Sequence, residues 1–81
     1  MTLEQFLELV ELQLGKKKVQ AGDHFREDLH AESLDLVLLV AALEDRFQVS
    51  IPEAVLVKVQ TVEDLFQYLQ SRLIAGDDGH S

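Results

Sequence analysis

Apolar residues recur at Leu3, Phe6, Leu7, Val10 and Leu14, a three- and four-residue spacing that places them on one face of a helix. Thr2, followed three positions later by Gln5, fits a capping box at its start, and Gly15 suits the position just past its end. Lys16, Lys17 and Lys18 come next, where cations complement exposed carbonyls. Residues 15–32 show no sustained period. Phe25 and Leu29 stand four apart in this long connection, so one helical turn would plant both in the core. Connections of that length in small domains are usually functional or pinned down.

A second helix is predicted from Leu34 to Phe47, with Leu36, Val40, Leu43 and Phe47 on one face and Leu39 widening it. Leu34, Leu38 and Ala41 form a second apolar stripe at helical spacing. A helix apolar over most of its girth is either central to the core or offers a face to something else. Ser50-Ile51-Pro52-Glu53 interrupts the pattern, and Pro52 opens a short third helix reaching about Val59. Thr61 with Asp64 marks another capped start, and Val62, Leu65, Phe66, Leu69 and Leu73 supply the inward face of a fourth helix. Residues 75–81, with two Gly and two Asp, have nothing to bury and are expected to form a disordered tail. The expected fold is all-α: one domain over residues 1–74, a four-helix bundle of three main helices plus a short third, with a long first loop.

Charge narrows the function. Fifteen acidic residues face seven basic ones, a formal net charge of −8. Nucleic acid binding needs a basic footprint, and anionic membrane surfaces repel the same charge, so neither is an expected partner. A basic protein surface is the natural complement, although acidity also serves solubility alone. With no Cys, the chain has neither disulfide nor thiolate chemistry of its own. The longest apolar run, Leu36 to Leu43, is far too short to span a bilayer. The N-terminal residues lack a basic start followed by an apolar stretch. A soluble, cytoplasmic monomer is expected.

His24, His30 and His80 are scattered, with no pair at ligand spacing, so no metal site is expected. A Ser-His-Asp hydrolase is equally poor, because no nucleophile elbow is present and the bundle is too small to enclose a cleft. Ser33 stands where the long connection meets the second helix. Its position fits a simple helix cap. It also fits covalent modification, since a phosphodiester on that hydroxyl would meet free amide donors at a helix N-terminus.

The segment Phe25-Arg26-Glu27-Asp28-Leu29-His30-Ala31-Glu32-Ser33-Leu34-Asp35 resembles the acyl carrier protein signature, in which a Phe, an Asp-Leu pair, a Gly-Ala step and an Asp-Ser-Leu triplet share this order and spacing. Ala42-Leu43-Glu44-Asp45-Arg46-Phe47, Ile51-Pro52 and Thr61-Val62 with Leu65 resemble later landmarks of the same family, without a gap. The similarity covers residues 3 to about 70.

The resemblance implies a right-angle-looped four-helix bundle that is not an enzyme. A separate phosphopantetheinyl transferase, using coenzyme A and magnesium, would place a 4'-phosphopantetheine arm on Ser33. Acyl groups would ride on the arm as thioesters, packing between the second and third helices and serving acyl-loading and synthase enzymes with basic or apolar docking patches. Asp35, Glu44 and Asp45 match the family's acidic partner-facing positions. Glu32 and Leu34, which flank the serine, join that surface.

The resemblance implies a carrier for fatty acid or specialised lipid or polyketide synthesis, and departures from the pattern point to a specialised member with its own partners, not the housekeeping carrier of fatty acid synthesis. Glu32 stands where the family has Asp, and is a poorer cap. His30 replaces a usual Gly. Leu38 occupies a commonly acidic position, and Val55 and Val57 replace charged residues of the third helix, so Leu34, Leu38 and Ala41, extended by Val55 and Val57, are expected to form an apolar docking patch. Two alternatives stay open: an interaction module of the same fold without the arm, and a carrier of amino acids in nonribosomal synthesis.

Overall fold

A computed structural model describes the backbone of residues 1–79 and the side chains of residues 1–73. Four helices follow in order: α1 (Leu3–Leu14), α2 (Ser33–Phe47), α3 (Glu53–Lys58) and α4 (Val62–Gly79). The described residues contain no strand, only an isolated antiparallel bridge between His24 and Thr61.

Local chemistry sets most of the helix ends. At α1 the Gln5 N–H donates to Thr2 Oγ1 at 3.1 Å while the Thr2 N–H donates to Gln5 Oε1 at 3.0 Å, the reciprocal capping box. Gly15 ends α1 at φ +67°, the left-handed conformation that costs glycine nothing. Pro52 caps α3 one residue before its first turn. At α4 the Asp64 N–H donates to Thr61 Oγ1, and Asp64 accepts from the Thr61 and Gln60 N–H groups. Those backbone donors hold the Asp64 carboxyl below its usual range. The helix itself continues to Gly79, past the expected boundary at residue 74. His80 and Ser81, the end of the expected tail, lie outside the described residues.

α1 packs against both α2 and α4. The core gathers Phe6 and Val10 of α1, Leu36, Leu39, Val40 and Leu43 of α2, and Val62, Leu65, Phe66 and Leu69 of α4. The Phe6 and Phe66 rings meet at 5.4 Å between centroids, tilted by 51°, an arrangement that suits the aromatic quadrupoles. Five positions differ from the periodic pattern. Leu3 lies at the exposed edge of α1, while Leu7, Leu14, Phe47 and Leu73 are half-buried. Leu3, Leu14 and Phe47 stand at helix ends, where neighbours lie on one side only, so the wheel overstates their burial.

The long connection is a built element. Val19, Phe25, Leu29 and Ala31 are buried, and the pattern singles out only Phe25 and Leu29 among them. Phe25 N–H donates to the Gln60 carbonyl, Val62 N–H to Asp23 and Glu63 N–H to Ala21, which fasten the loop to the α3–α4 connection. Val19 N–H donates to a Glu11 carboxylate oxygen, fastening it to α1 as well. These bonds satisfy backbone groups that a packed loop would otherwise leave unpaired.

Candidate functional site at the start of α2

Ser33 is exposed and is the first residue of α2; the cap position belongs to Glu32, at φ −94° and ψ 172°. Ser33 therefore stands one step further into the helix than the cap position its place in the sequence suggests. The shift matters, because a cap oxygen is occupied by an amide donor whereas a first-turn hydroxyl stands clear of that duty. Asp35 Oδ2 accepts from the Glu32 N–H at 2.9 Å, which orders the entry to the helix. A shallow hollow of about 580 Å³ surrounds the serine, lined by Arg26, His30, Ala31, Glu32, Ser33 and Leu34.

The approach to this serine is strained at one point. His30 sits at φ +55°, and a residue with a Cβ adopts that region at a cost of roughly 1–2 kcal/mol. The loop on either side is fixed: the Ala31 N–H donates to the Phe25 carbonyl at 2.7 Å, and Asp28 Oδ2 accepts from the His24 N–H at 2.7 Å. That backbone donor is the main reason the Asp28 carboxyl lies below its usual range. Replacing His30 by Gly is expected to stabilise the protein by about 0.5–1 kcal/mol, the strain relieved less the backbone entropy that glycine loses. Urea unfolding of the two proteins would check this. A less stable glycine variant would show that the imidazole holds the loop through its own contacts.

The remaining candidate positions separate into groups. Leu34, Leu38 and Ala41 are exposed along one stripe of α2, and Val37 joins them at its edge. They lie opposite Leu36, Leu39, Val40 and Leu43, as about 100° per residue requires. Glu32, Asp35 and Asp45 are exposed beside this stripe. Glu44 instead serves the fold, since its half-buried carboxylate accepts from the Ile51 N–H at 2.7 Å and ties α2 to the α2–α3 turn. Val55 is half-buried against the core, so Val57, at 81% exposure, is the outward valine of α3.

A second hollow of about 640 Å³ opens between the loop, α2 and α3, lined by Phe25, Leu36, Leu56, Val57 and Val59 with His24, Arg26, Glu27 and Gln60 at its polar side. This volume lies within the ordinary range for small-molecule sites. No residue of α3 is fully buried, so that helix forms a lightly held wall. Among the described residues no cluster of three His, Asp or Glu is placed to hold a metal ion, and no helix is long and apolar enough to cross a membrane.

The site defines a class of protein: a small helical scaffold presenting one exposed serine at a helix start, near a recess lined by apolar and polar residues, with no base hydrogen-bonded to that serine among the described residues. The profile of the phosphopantetheine attachment-site family matches residues 4–69. The chain is 39% identical over 61 residues to an acyl carrier protein of Helicobacter hepaticus, covering 75% of this chain and 80% of that one. It is 38% identical over 65 residues to an acyl carrier protein of Thermosynechococcus vestitus, covering 80% of each. It is 37% identical over 71 residues to one of Rickettsia canadensis, covering 85% of this chain and 83% of the relative. The chain belongs to the acyl carrier protein family, and its prosthetic group is a covalent 4'-phosphopantetheine.

The residues present fit that group. An exposed first-turn hydroxyl could be esterified without breaking a cap hydrogen bond, the surrounding hollow offers room, and Arg26 is a cation in that hollow's lining. The arm carries a terminal thiol, chemistry that a chain without Cys lacks.

Proposed function

We propose that Ser33 is the attachment point of the arm. The chain then moves acyl intermediates between a dedicated set of enzymes of fatty acid, specialised lipid or polyketide synthesis. The observation that carries this reading is the exposed serine on the first turn of α2, outside the cap hydrogen bonds and within the matched family segment. The α2–α3 hollow supports a place for the acyl chain, since its lining is apolar on the inner side and α3 is lightly held. The chain performs no bond-making of its own; it presents the thioester and is recognised.

Recognition rests on the outer face of α2. Glu32, Asp35 and Asp45 supply negative charge for a basic patch, such as one on the phosphopantetheinyl transferase or a synthase. Leu34, Leu38, Ala41 and the edge residue Val37 supply apolar area in a stripe beginning next to Ser33. Val57 extends the apolar surface on α3, and Val55 supports it from within. The matching enzyme face is an apolar groove with cations on its rim. Glu44 contributes to folding through Ile51 more than to this surface.

Intact mass of the protein isolated from its host tests the carrier reading: a mass increased by one arm supports it, and an unmodified chain would favour an interaction module. Aminoacyl groups on the arm would instead place it in nonribosomal synthesis. The docking stripe has its own test. Leu38 is 55% exposed, so Leu38→Glu is expected to change stability by no more than about 0.5 kcal/mol. It should weaken cognate enzyme binding about tenfold or more, since one buried apolar side chain is worth about 1.5–3 kcal/mol, while Ser33 is still modified. Binding unchanged by the glutamate would remove the stripe from the interface.

A further inference from the structure

Arg26 occupies a position that its exposed, loop-borne character conceals in the sequence. It lies between Phe25 and Leu29, both buried, in a turn where the Asp28 and Leu29 N–H groups donate to the His24 carbonyl. The Phe25 N–H to Gln60 and the Ala31 N–H to Phe25 fix the turn on its other sides. The backbone beneath Arg26 is therefore held firmly, although the side chain reaches solvent. Alone among the residues lining either hollow, Arg26 borders both the depression around Ser33 and the α2–α3 recess.

Among the described residues its charge has no ion-pair partner. The close acid–base side-chain contacts found among the described residues are those of His24 with Glu27 and with Asp28, and Arg26 takes part in neither. An arginine of strongly acidic surroundings that stays out of such pairs is available to another anion. Esterification of Ser33 would bring one: a phosphodiester carrying a full negative charge, set down beside Glu32 and Asp35 on a chain already at −8. The start of α2 offers amide donors, but the Glu32 N–H is already taken by Asp35 Oδ2. A guanidinium presents a planar fork of donors that matches two phosphate oxygens.

We propose that Arg26 anchors the phosphodiester of the arm and, by bordering both hollows, directs the arm from Ser33 toward the α2–α3 recess. The inference rests on the reading of Ser33 as the attachment point and adds to it a positioning residue on the preceding loop. Screening gives the test. Between about 0.01 M and about 1 M salt the Debye length falls from about 30 Å to about 3 Å, and an exposed guanidinium–phosphate pair loosens accordingly.

Arm-bearing wild type, Arg26→Gln, Arg26→Lys and Arg72→Gln would be compared by phosphorus NMR across that range. Arg72 is an exposed α4 cation lining neither hollow, so its removal changes net charge equally. The wild-type resonance is expected to move with salt and Arg72→Gln to follow it. Arg26→Gln should begin near the high-salt position and move less than half as far. Arg26→Lys should fall between, keeping the charge and losing the fork. The difference in melting temperature between arm-bearing and unmodified protein should shrink in Arg26→Gln and not in Arg72→Gln. Equal salt responses in wild type and Arg26→Gln, or equal losses in Arg26→Gln and Arg72→Gln, overturn the anchor while leaving Ser33 as the attachment point. If no phosphorus can be placed on Ser33 at all, the attachment reading and the anchor fall together.

Discussion

Ser33→Ala is expected to abolish attachment of the arm completely while leaving the fold unchanged. Incubation with coenzyme A, magnesium and a broad-specificity transferase should add one arm to the wild type and none to the variant, as read by intact mass. The effect is all-or-none because the hydroxyl oxygen is itself the atom that forms the phosphate ester, and alanine has no substitute for it. The fold should be indifferent for a separate reason. Ser33 is exposed, and the cap position is held by Glu32, so truncation removes no cap acceptor and leaves no buried group unpaired. Stability within about 0.5 kcal/mol of wild type is the matching expectation. Ser50 provides the control: it is an exposed serine before α3, and Ser50→Ala should be labelled as fully as wild type. A labelled Ser33→Ala protein would move the attachment point elsewhere and remove the basis of the site described above.

The largest loss of stability is expected from Phe25→Ala. Phe25 is 2% exposed and is the bulkiest buried anchor of the loop. Truncating a core Phe removes its transfer free energy and leaves a cavity, together about 3–5 kcal/mol. A domain of this size has only about 5–15 kcal/mol in total, so the variant should sit near the edge of folding. The loss should extend past the ring itself. Phe25 also donates to the Gln60 carbonyl and accepts from Ala31, so loosening it frees both the α3–α4 fastening and the residues leading to Ser33. Urea unfolding with unchanged slope would report the stability. Hydrogen exchange at residues 20–32 would report the loop, with protection there falling more than in α1. Leu12→Ala, at a position 76% exposed, should cost well under 1 kcal/mol and serves as the comparison. A Phe25→Ala loss below about 1 kcal/mol would mean that the backbone bonds alone hold the loop, and that the recess beside α2 can close over the missing ring.

What the sequence determined follows from how local each signal is. Side-chain direction along a helix repeats every 3.6 residues whatever the rest of the molecule does, so α1, α2 and α4, their inward faces and the outward stripe of Leu34, Leu38 and Ala41 could be read from spacing alone. The proposal for Ser33 rests on another kind of signal: an ordered set of residues, with no gap, surrounds it. Tertiary structure decided the rest. The two other buried loop residues, Val19 and Ala31, carry no period: the first is fastened to Glu11 of α1 and the second to the Phe25 carbonyl, and both join the core cluster. Glu44 and Asp45 are adjacent acidic residues on one helix, yet the turn to Ile51 draws the first into a backbone hydrogen bond and leaves the second in solvent. Val55 and Val57 divide in the same way, one against the core and one exposed, since a helix of one and a half turns has too few residues to show a face. Arg26 reads as an ordinary loop cation until the fold brings Gln60 beside Phe25 and places Arg26 in the lining of two hollows. A helix face is written in the spacing of its own residues, whereas a position in a pinned loop is fixed by hydrogen bonds to groups tens of residues away, which no local pattern records.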